Sequence, residues 1–311
     1  MSVLRLGMCT ALDQDNLDKL KLKNINKATD FISKDPEEIA ELCSIPYKDA
    51  VAIRKILLAQ YSAVPINGKQ LYTRVVESSC ILSTGCERLD AILDGGLYTG
   101  EVTEVCGGVA AGKTQICMSV CAGVISKEDQ TAVCIDTNCS FSARRLEQMM
   151  ADDVDKDNAL FRVHAYDAFT YHEVLEVLET LKSDLKKGDD PFCTSLRLLV
   201  VDNVASVIYP SLGGGFFADN QGGITRLGLT LKSIASEFSI AVLISNNNVT
   251  GEGGAKVASL GRQWSQIPHV RFMLDGGEET QDERSASVIK NTRGAIGACT
   301  KFSITENGPL R

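Results

Sequence analysis

Across residues 1–60 the apolar positions fall at helical intervals. After residue 81 they change to short apolar runs alternating with longer amphipathic ones. In the first stretch Leu12, Leu17, Leu20 and Leu22 predict one helix, and Ala28 to Ile32 a second. Asp35-Pro36-Glu37-Glu38 gives an N-cap, a proline at the first helical position and an acidic first turn, so a third helix starts there. A fourth spans Tyr47 to Gln60, with Val51, Ile53, Leu57 and Leu58 turned inward. These short helices predict a small all-α N-terminal domain over residues 1–60, of a helix-hairpin-helix-like kind that meets either a DNA backbone or a protein partner. Residues 61–80 read as a linker, because Ala63-Val64-Pro65-Ile66-Asn67-Gly68 is turn-rich and lacks helical periodicity.

From residue 81 to 311 the pattern is that of one larger domain. Short apolar runs at Val102–Val105, Thr131–Asp136, Phe161–Tyr166, Leu196–Asp202 and Ile240–Ile244 read as strands. Between them, Gln115–Ala122, Phe141–Met150, Tyr171–Leu185 and Gly223–Phe238 read as helices. This alternation predicts an α/β fold, a mainly parallel sheet with helices on both faces. After Arg271 the pattern becomes strands joined by turns, as at a sheet edge.

The chemistry sits at the first strand-to-helix turn. Gly107-Gly108-Val109-Ala110-Ala111-Gly112-Lys113-Thr114 is a G-x-x-x-x-G-K-T element, a P-loop, preceded by a strand and followed by a helix. Glycines let backbone N–H groups converge on phosphate oxygens, and the helix N-terminus adds partial positive charge. Lys113 reaches the β/γ-phosphates in such a loop, and the Thr114 hydroxyl ligates Mg²⁺. Asp202 closes an apolar strand further on, where a carboxylate points at the Mg²⁺ shell. Asp136 also ends a strand, and either holds Mg²⁺-bound water or caps the next turn.

Composition narrows the picture. The net charge is −8, so any DNA contact comes from a local patch rather than bulk charge. The 11 cysteines include no C-x-x-C pair; Cys117 and Cys121 lie four apart on a helix without a further ligand set and read as small buried residues. No signal peptide and no long apolar span is evident, which points to a soluble protein of a reducing compartment.

Several longer stretches, Leu93-Asp94-Gly95-Gly96-Leu97-Tyr98-Thr99-Gly100-Glu101, the phosphate loop with Gln115, Ile135-Asp136-Thr137 and Leu199-Val200-Val201-Asp202-Asn203, resemble the RecA/RadA recombinase family. The likeness covers essentially the whole chain. It is strongest to a eukaryotic paralogue of the strand-exchange recombinase, with Leu260-Gly261-Arg262-Gln263-Trp264 among the pointers. It implies a RecA-like ATPase core, ATP and Mg²⁺ as ligands, and nuclear action in homologous-recombination repair. It also implies a hetero-complex with other recombinase paralogues that binds single-stranded or forked DNA and assists the main recombinase. By the same resemblance Arg145 lies beside the nucleotide base.

The departures from the family pattern carry equal weight. Where the recombinases have a water-activating glutamate, this chain has Asn138, which orients water but takes no proton at neutral pH. Where they have a glutamine sensing the γ-phosphate, it has Asn247 in Asn246-Asn247-Asn248. The linker lacks the family's Phe-x-x-Ala self-assembly element. Nucleotide binding with slow hydrolysis and no long self-filament follows, either as a weak DNA-dependent ATPase or as a nucleotide-gated scaffold.

Two loops face DNA in the family. The first corresponds to Tyr209–Gly223, with Phe216 and Phe217 offering stacking faces or a subunit contact. The second corresponds to Val249–Ser259, continuing to Arg262 and Trp264. Lys256, Arg262 and Trp264 make a charge-and-stacking set; alternatively Arg262 reaches a partner's ATP and Trp264 is core. Lys19, Lys21, Lys23 and Lys27 form a basic cluster that is either a solvated face or a phosphate contact, and the three histidines read as structural.

Overall fold

The structure, a computed structural model, describes residues 3–61, 65–212, 217–251, 254–276 and 283–305. The chain divides into two compact units, Met1–Arg74 and Val75–Arg311.

The first unit is built on α1 (Gln14–Leu22), α2 (Ala28–Ile32), α3 (Pro36–Cys43) and α4 (Tyr47–Tyr61). Asp13 starts α1 by accepting the Asn16 backbone N–H at 2.8 Å, which satisfies one of the donors a helix start leaves open. Asp35 occupies the N-cap position of α3 without a side-chain cap bond; its carboxylate instead lies 3.8 Å from Arg54. Leu12, Leu17, Leu20, Phe31, Ile39 and Ile53 are among the buried side chains of this unit. On α4 the buried positions are Ala50, Ile53 and Leu57, while Val51 is only part-buried and Leu58 exposed. The expectation that Val51 and Leu58 also turn inward is corrected by the 3.6-residue period, which lets only one of the adjacent leucines face the core.

The stretch expected as linker contains α5 (Gly68–Ser78), none of whose residues is buried. Asn67 accepts the Gln70 backbone N–H at 2.9 Å, so the turn chemistry read as a break is the start of a helix.

The second unit begins with β1 (Ile81–Leu82), α6 (Glu87–Ile92) and β2 (Leu97–Tyr98); β1 and β2 pair antiparallel. Then follow β3 (Val102–Gly107), α7 (Lys113–Ile125), β4 (Thr131–Asp136), α8 (Ala143–Met149), α9 (Lys156–Leu160) and β5 (Val163–Asp167). Next come α10 (Tyr171–Lys187), α11 (Pro191–Thr194), β6 (Leu196–Asp202), α12 (Val204–Leu212) and α13 (Phe217–Phe238). The unit closes with β7 (Ala241–Thr250), β8 (Lys256–Ala258), α14 (Gly261–Trp264), β9 (Val270–Gly276), β10 (Glu283–Asn291) and β11 (Cys299–Ser303).

Among the described residues the main sheet runs β11-β10-β9-β3-β7-β6-β4-β5, with β8 on β7. From β9 to β5 all neighbours are parallel, and β10 and β11 extend the other edge antiparallel. Alternate side chains of the central strands feed two apolar clusters. Val105, Cys134, Val200 and Leu243 pack with Ile116 and Val120 of α7. Ile135, Val201, Val242 and Ile244 pack with Leu178 of α10, Val204 of α12 and Leu231 of α13. A parallel strand covered on both faces needs this continuous apolar composition.

The sheet therefore has the RecA-like arrangement, with the phosphate loop emerging from a central strand. The stretch Tyr209–Gly223, expected as a loop, is helical over the residues of α12 and α13 it contains; Phe216 lies outside the described residues. The Val249–Ser259 stretch is largely the β7–β8 hairpin, in which Val249 pairs with Val257 and Thr250 with Lys256.

Candidate nucleotide site

β3 delivers the chain to Gly107 and α7 begins at Lys113, so Gly108 to Gly112 form the turn between them. Two glycines are required by what surrounds them. A Cβ on Gly107 would stand 2.8 Å from the Leu274 carbonyl oxygen of β9. Gly112 has φ +101°, a left-handed conformation that side chains rarely adopt. Ala110 has φ +60° without being glycine, and Val109 at the tip is 99% exposed.

Lys113 turns back into the loop. Its Nζ donates to the carbonyls of Gly107 at 2.9 Å and Gly108 at 2.7 Å. Burial holds its pKa below the ordinary lysine value, with Asp202 pulling the other way. Thr114 and Asp202 line one small cavity of about 20 Å³, together with Asp136 and Ser140. That space is enough for one water-sized occupant. Thr114 brings a hydroxyl and Asp202 a carboxylate to the border of that space, the hard oxygen donors suited to Mg²⁺, which binds through few protein groups and keeps its waters. Asp202 also accepts a hydrogen bond from the buried Ser245 hydroxyl and one from Ser140 at 3.4 Å.

Asp136 caps the turn after β4 and also borders the small cavity. Its carboxylate accepts the backbone N–H groups of Asn138 at 2.9 Å and Phe141 at 2.6 Å. Asn138 is thereby fixed on the turn after β4 with its side chain exposed. Asn247 is engaged: its Oδ1 accepts from Asn203 Nδ2 at 2.8 Å, joining the strand of Asp202 to the next.

A second cavity, of about 380 Å³, opens directly over the phosphate loop and is lined by Ala110, Ala111, Gly112, Lys113, Thr114, Gln115, Arg284 and Ile304. Arg145 stands beside it on α8, where Ser142 caps the helix. Its Nε donates to Gln115 Oε1 at 2.9 Å and its Nη2 to the Thr305 carbonyl at 2.7 Å. The structure thus brings together Gly107 to Gln115 and Arg145, with Asp202 across the loop and Asn138 at the margin. Leu274, Arg284, Ile304 and Thr305 are additions that sequence reasoning missed: Leu274 comes from β9, the neighbour of β3, and the others from β10 and the end of β11, all distant in sequence.

Other candidates fall elsewhere. Trp264 is fully buried and donates its Nε1–H to Glu104 Oε1 at 2.9 Å, so it is core and not a stacking face. Glu104, itself fully buried, also accepts from Asn246 Nδ2 at 2.6 Å and from Arg271 Nε. Lys256 pairs with Asp275 at 2.6 Å, and Arg262 is exposed on α14. Lys19 and Lys21 pair with Asp15 and Asp18 on their own helix. Cys121 and Cys134 meet at 3.6 Å in the core, and among the described residues no cluster of His, Cys, Asp or Glu is arranged to hold a metal ion. His269 Nδ1 accepts the Val102 N–H at 2.8 Å, and burial lowers its pKa, in keeping with a structural role. No described helix is long and apolar enough to cross a membrane.

Comparison with known proteins places this geometry. A family profile described as Rad51 matches residues 76–267, and one described as RAD51D, N-terminal domain, matches residues 1–60. The chain is 37% identical over 301 residues to DNA repair protein RAD51 homolog 4 of Bos taurus, covering 94% of this chain and 91% of the relative. The Mus musculus protein of the same description is 34% identical over 309 residues, covering 96% and 93%. DNA repair and recombination protein RadA of Aeropyrum pernix is 29% identical over 286 residues, covering 88% and 86%.

Proposed function

Because the chain belongs to the Rad51 family, with a role in homologous recombination and DNA repair, we propose that it is an ATP-binding recombinase paralogue with weak, DNA-dependent ATPase activity. It acts in the nucleus, in a hetero-complex with other recombinase paralogues, on single-stranded or forked DNA, and assists the main strand-exchange recombinase. Residues 1–60 serve as a helical N-terminal domain, 61–80 as a linker and 81–311 as the ATPase domain.

The observation that carries the nucleotide reading is the convergence of Lys113 and Thr114 with Asp202 around the phosphate loop. In that arrangement Lys113 holds the β/γ-phosphates. Thr114 and Asp202 hold Mg²⁺, which supplies charge neutralisation at the phosphates. Gln115 and Arg145 stand at the base side. Asn138 has the place of a water-activating carboxylate but no basicity for it.

Asn138 and the tethered Asn247 favour a second reading, a subunit whose bound ATP gates assembly and is barely turned over. Direct ATP binding measured beside steady-state hydrolysis, with and without single-stranded DNA, separates the two. DNA-stimulated turnover supports the ATPase; tight binding with negligible turnover supports the scaffold; absence of binding defeats both. Asn138→Glu is expected to raise turnover about tenfold or more, since general-base catalysis is worth at least a hundredfold where all other parts are present. An unchanged rate in single-turnover hydrolysis means that more than the base is missing.

A further inference from the structure

The hairpin edge of the sheet supplies a wall to the phosphate cavity. β10 pairs antiparallel with β11, with Arg284 opposite Phe302, and the chain leaves β11 into Ile304 and Thr305. Ile304 is seated against the loop: a Cβ on Gly112 would meet its Cδ1 at 2.5 Å. The Thr305 carbonyl is tied to Arg145 at 2.7 Å. Two fastenings therefore hold this edge over the phosphate loop, one at Gly112 and one at α8. On the same wall Arg284, a part-buried guanidinium, lines the cavity together with Lys113.

These are the two cationic side chains among the described lining residues of that cavity. Lys113 is a point charge already turned toward two loop carbonyls. A triphosphate carries more negative charge than one ammonium balances, and a guanidinium binds phosphate oxygens in a two-pronged manner that an ammonium does not. The strand pairing of β10 fixes the backbone of Arg284, and its Nη1 donates to the Glu283 carbonyl at 3.1 Å, which orders the side chain before a ligand engages it. We propose that Arg284, contributed from β10 of the same chain, is a second phosphate-binding residue of the nucleotide site, recognising the polyphosphate of the ligand rather than its base. This rests on the nucleotide-binding reading above and deepens it.

The test is displacement of a fluorescent ATP analogue from the purified full chain by ATP, ADP and AMP, with each competitor's inhibition constant obtained from the analogue's own dissociation constant, titrated directly in every variant. In Arg284→Gln, ATP and ADP are expected to compete about tenfold or more weakly than in the unsubstituted chain, with AMP changed less than twofold. Arg284→Lys retains the charge and loses the fork, so its ATP competition falls between the two. Equal ATP competition in Arg284→Gln, or an equal loss for all three nucleotides, overturns the proposal; the latter marks a packing role. In the unsubstituted chain, ATP is expected to shield Arg284 from an arginine-directed dicarbonyl reagent and AMP is not. Equal modification with and without ATP likewise overturns it. If the analogue does not bind the unsubstituted chain at all, the nucleotide reading itself fails. If it binds, and Lys113→Ala abolishes binding while Arg284→Gln does not weaken it, only the role of Arg284 fails.

Discussion

Lys113→Ala is expected to lower ATP affinity about ten- to a hundredfold while leaving the fold intact. Hydrogen bonds to charged groups contribute about 1.5–3 kcal/mol, and each 1.4 kcal/mol is a factor of ten in affinity. The side chain donates to two carbonyls of its own loop, and the buried Asp202 left behind keeps the Ser245 and Ser140 hydroxyls as donors. Lys113 is also the first residue of α7, where alanine is a good helix former. Isothermal titration with ATP·Mg²⁺, beside a thermal melt without ligand, checks both halves. Undiminished binding with an unchanged melt would remove the phosphate-loop assignment.

Glu104→Ala is expected to destabilise the second unit by about 3–5 kcal/mol, the scale for removing one partner of a buried ion pair. Glu104 is fully buried on β3 and gathers three donors, from Asn246, Trp264 and Arg271. Without it, the Arg271 guanidinium, only 8% exposed, has lost its carboxylate, and the indole N–H has lost its acceptor. Each unsatisfied buried donor carries a desolvation penalty of about 1–3 kcal/mol. Urea unfolding followed by Trp264 fluorescence measures the loss directly, because the only tryptophan reports from the damaged site. A shift below about 1 kcal/mol would show that the network is not the anchor of this strand.

What could be read from the sequence was local. The phosphate loop is specified within eight consecutive residues plus a strand and a helix, and no distant segment is needed to recognise it. Asp202 was legible for a related reason, since a carboxylate ending an apolar run marks the strand's C-terminal end. The alternation of apolar runs foretold the parallel sheet. Arg284 and Ile304 were not legible because they reach the site through the pairing of β9, β10 and β11, and register is invisible in one sequence. Trp264 stayed ambiguous until Glu104 appeared as its acceptor, and an acidic residue inside an apolar strand was the unused signal. The helix at Gly68–Ser78 was not legible because Pro65 and Gly68 are turn-forming residues at its start, although Leu71, Tyr72, Val75 and Val76 recur at helical spacing. Likewise Gly222 and Gly223 lie inside α13, where intrinsic preference is outweighed by the rest of a long helix.

The order of strands has a consequence for the chain as it leaves the ribosome. β3 is flanked by β7 and β9, both made far later than the phosphate loop itself. Synthesis runs from the N-terminus, and non-local pairings form only after long loops close. A growing chain therefore carries its phosphate-loop sequence on a strand that lacks both neighbours until residues 241–276 have emerged, and it lacks the Ile304 wall until residue 304 has followed them. A message cut short upstream of β9 yields a polypeptide with the complete loop motif, an open apolar edge on β3, and a fate decided by chaperones and proteases rather than by nucleotide.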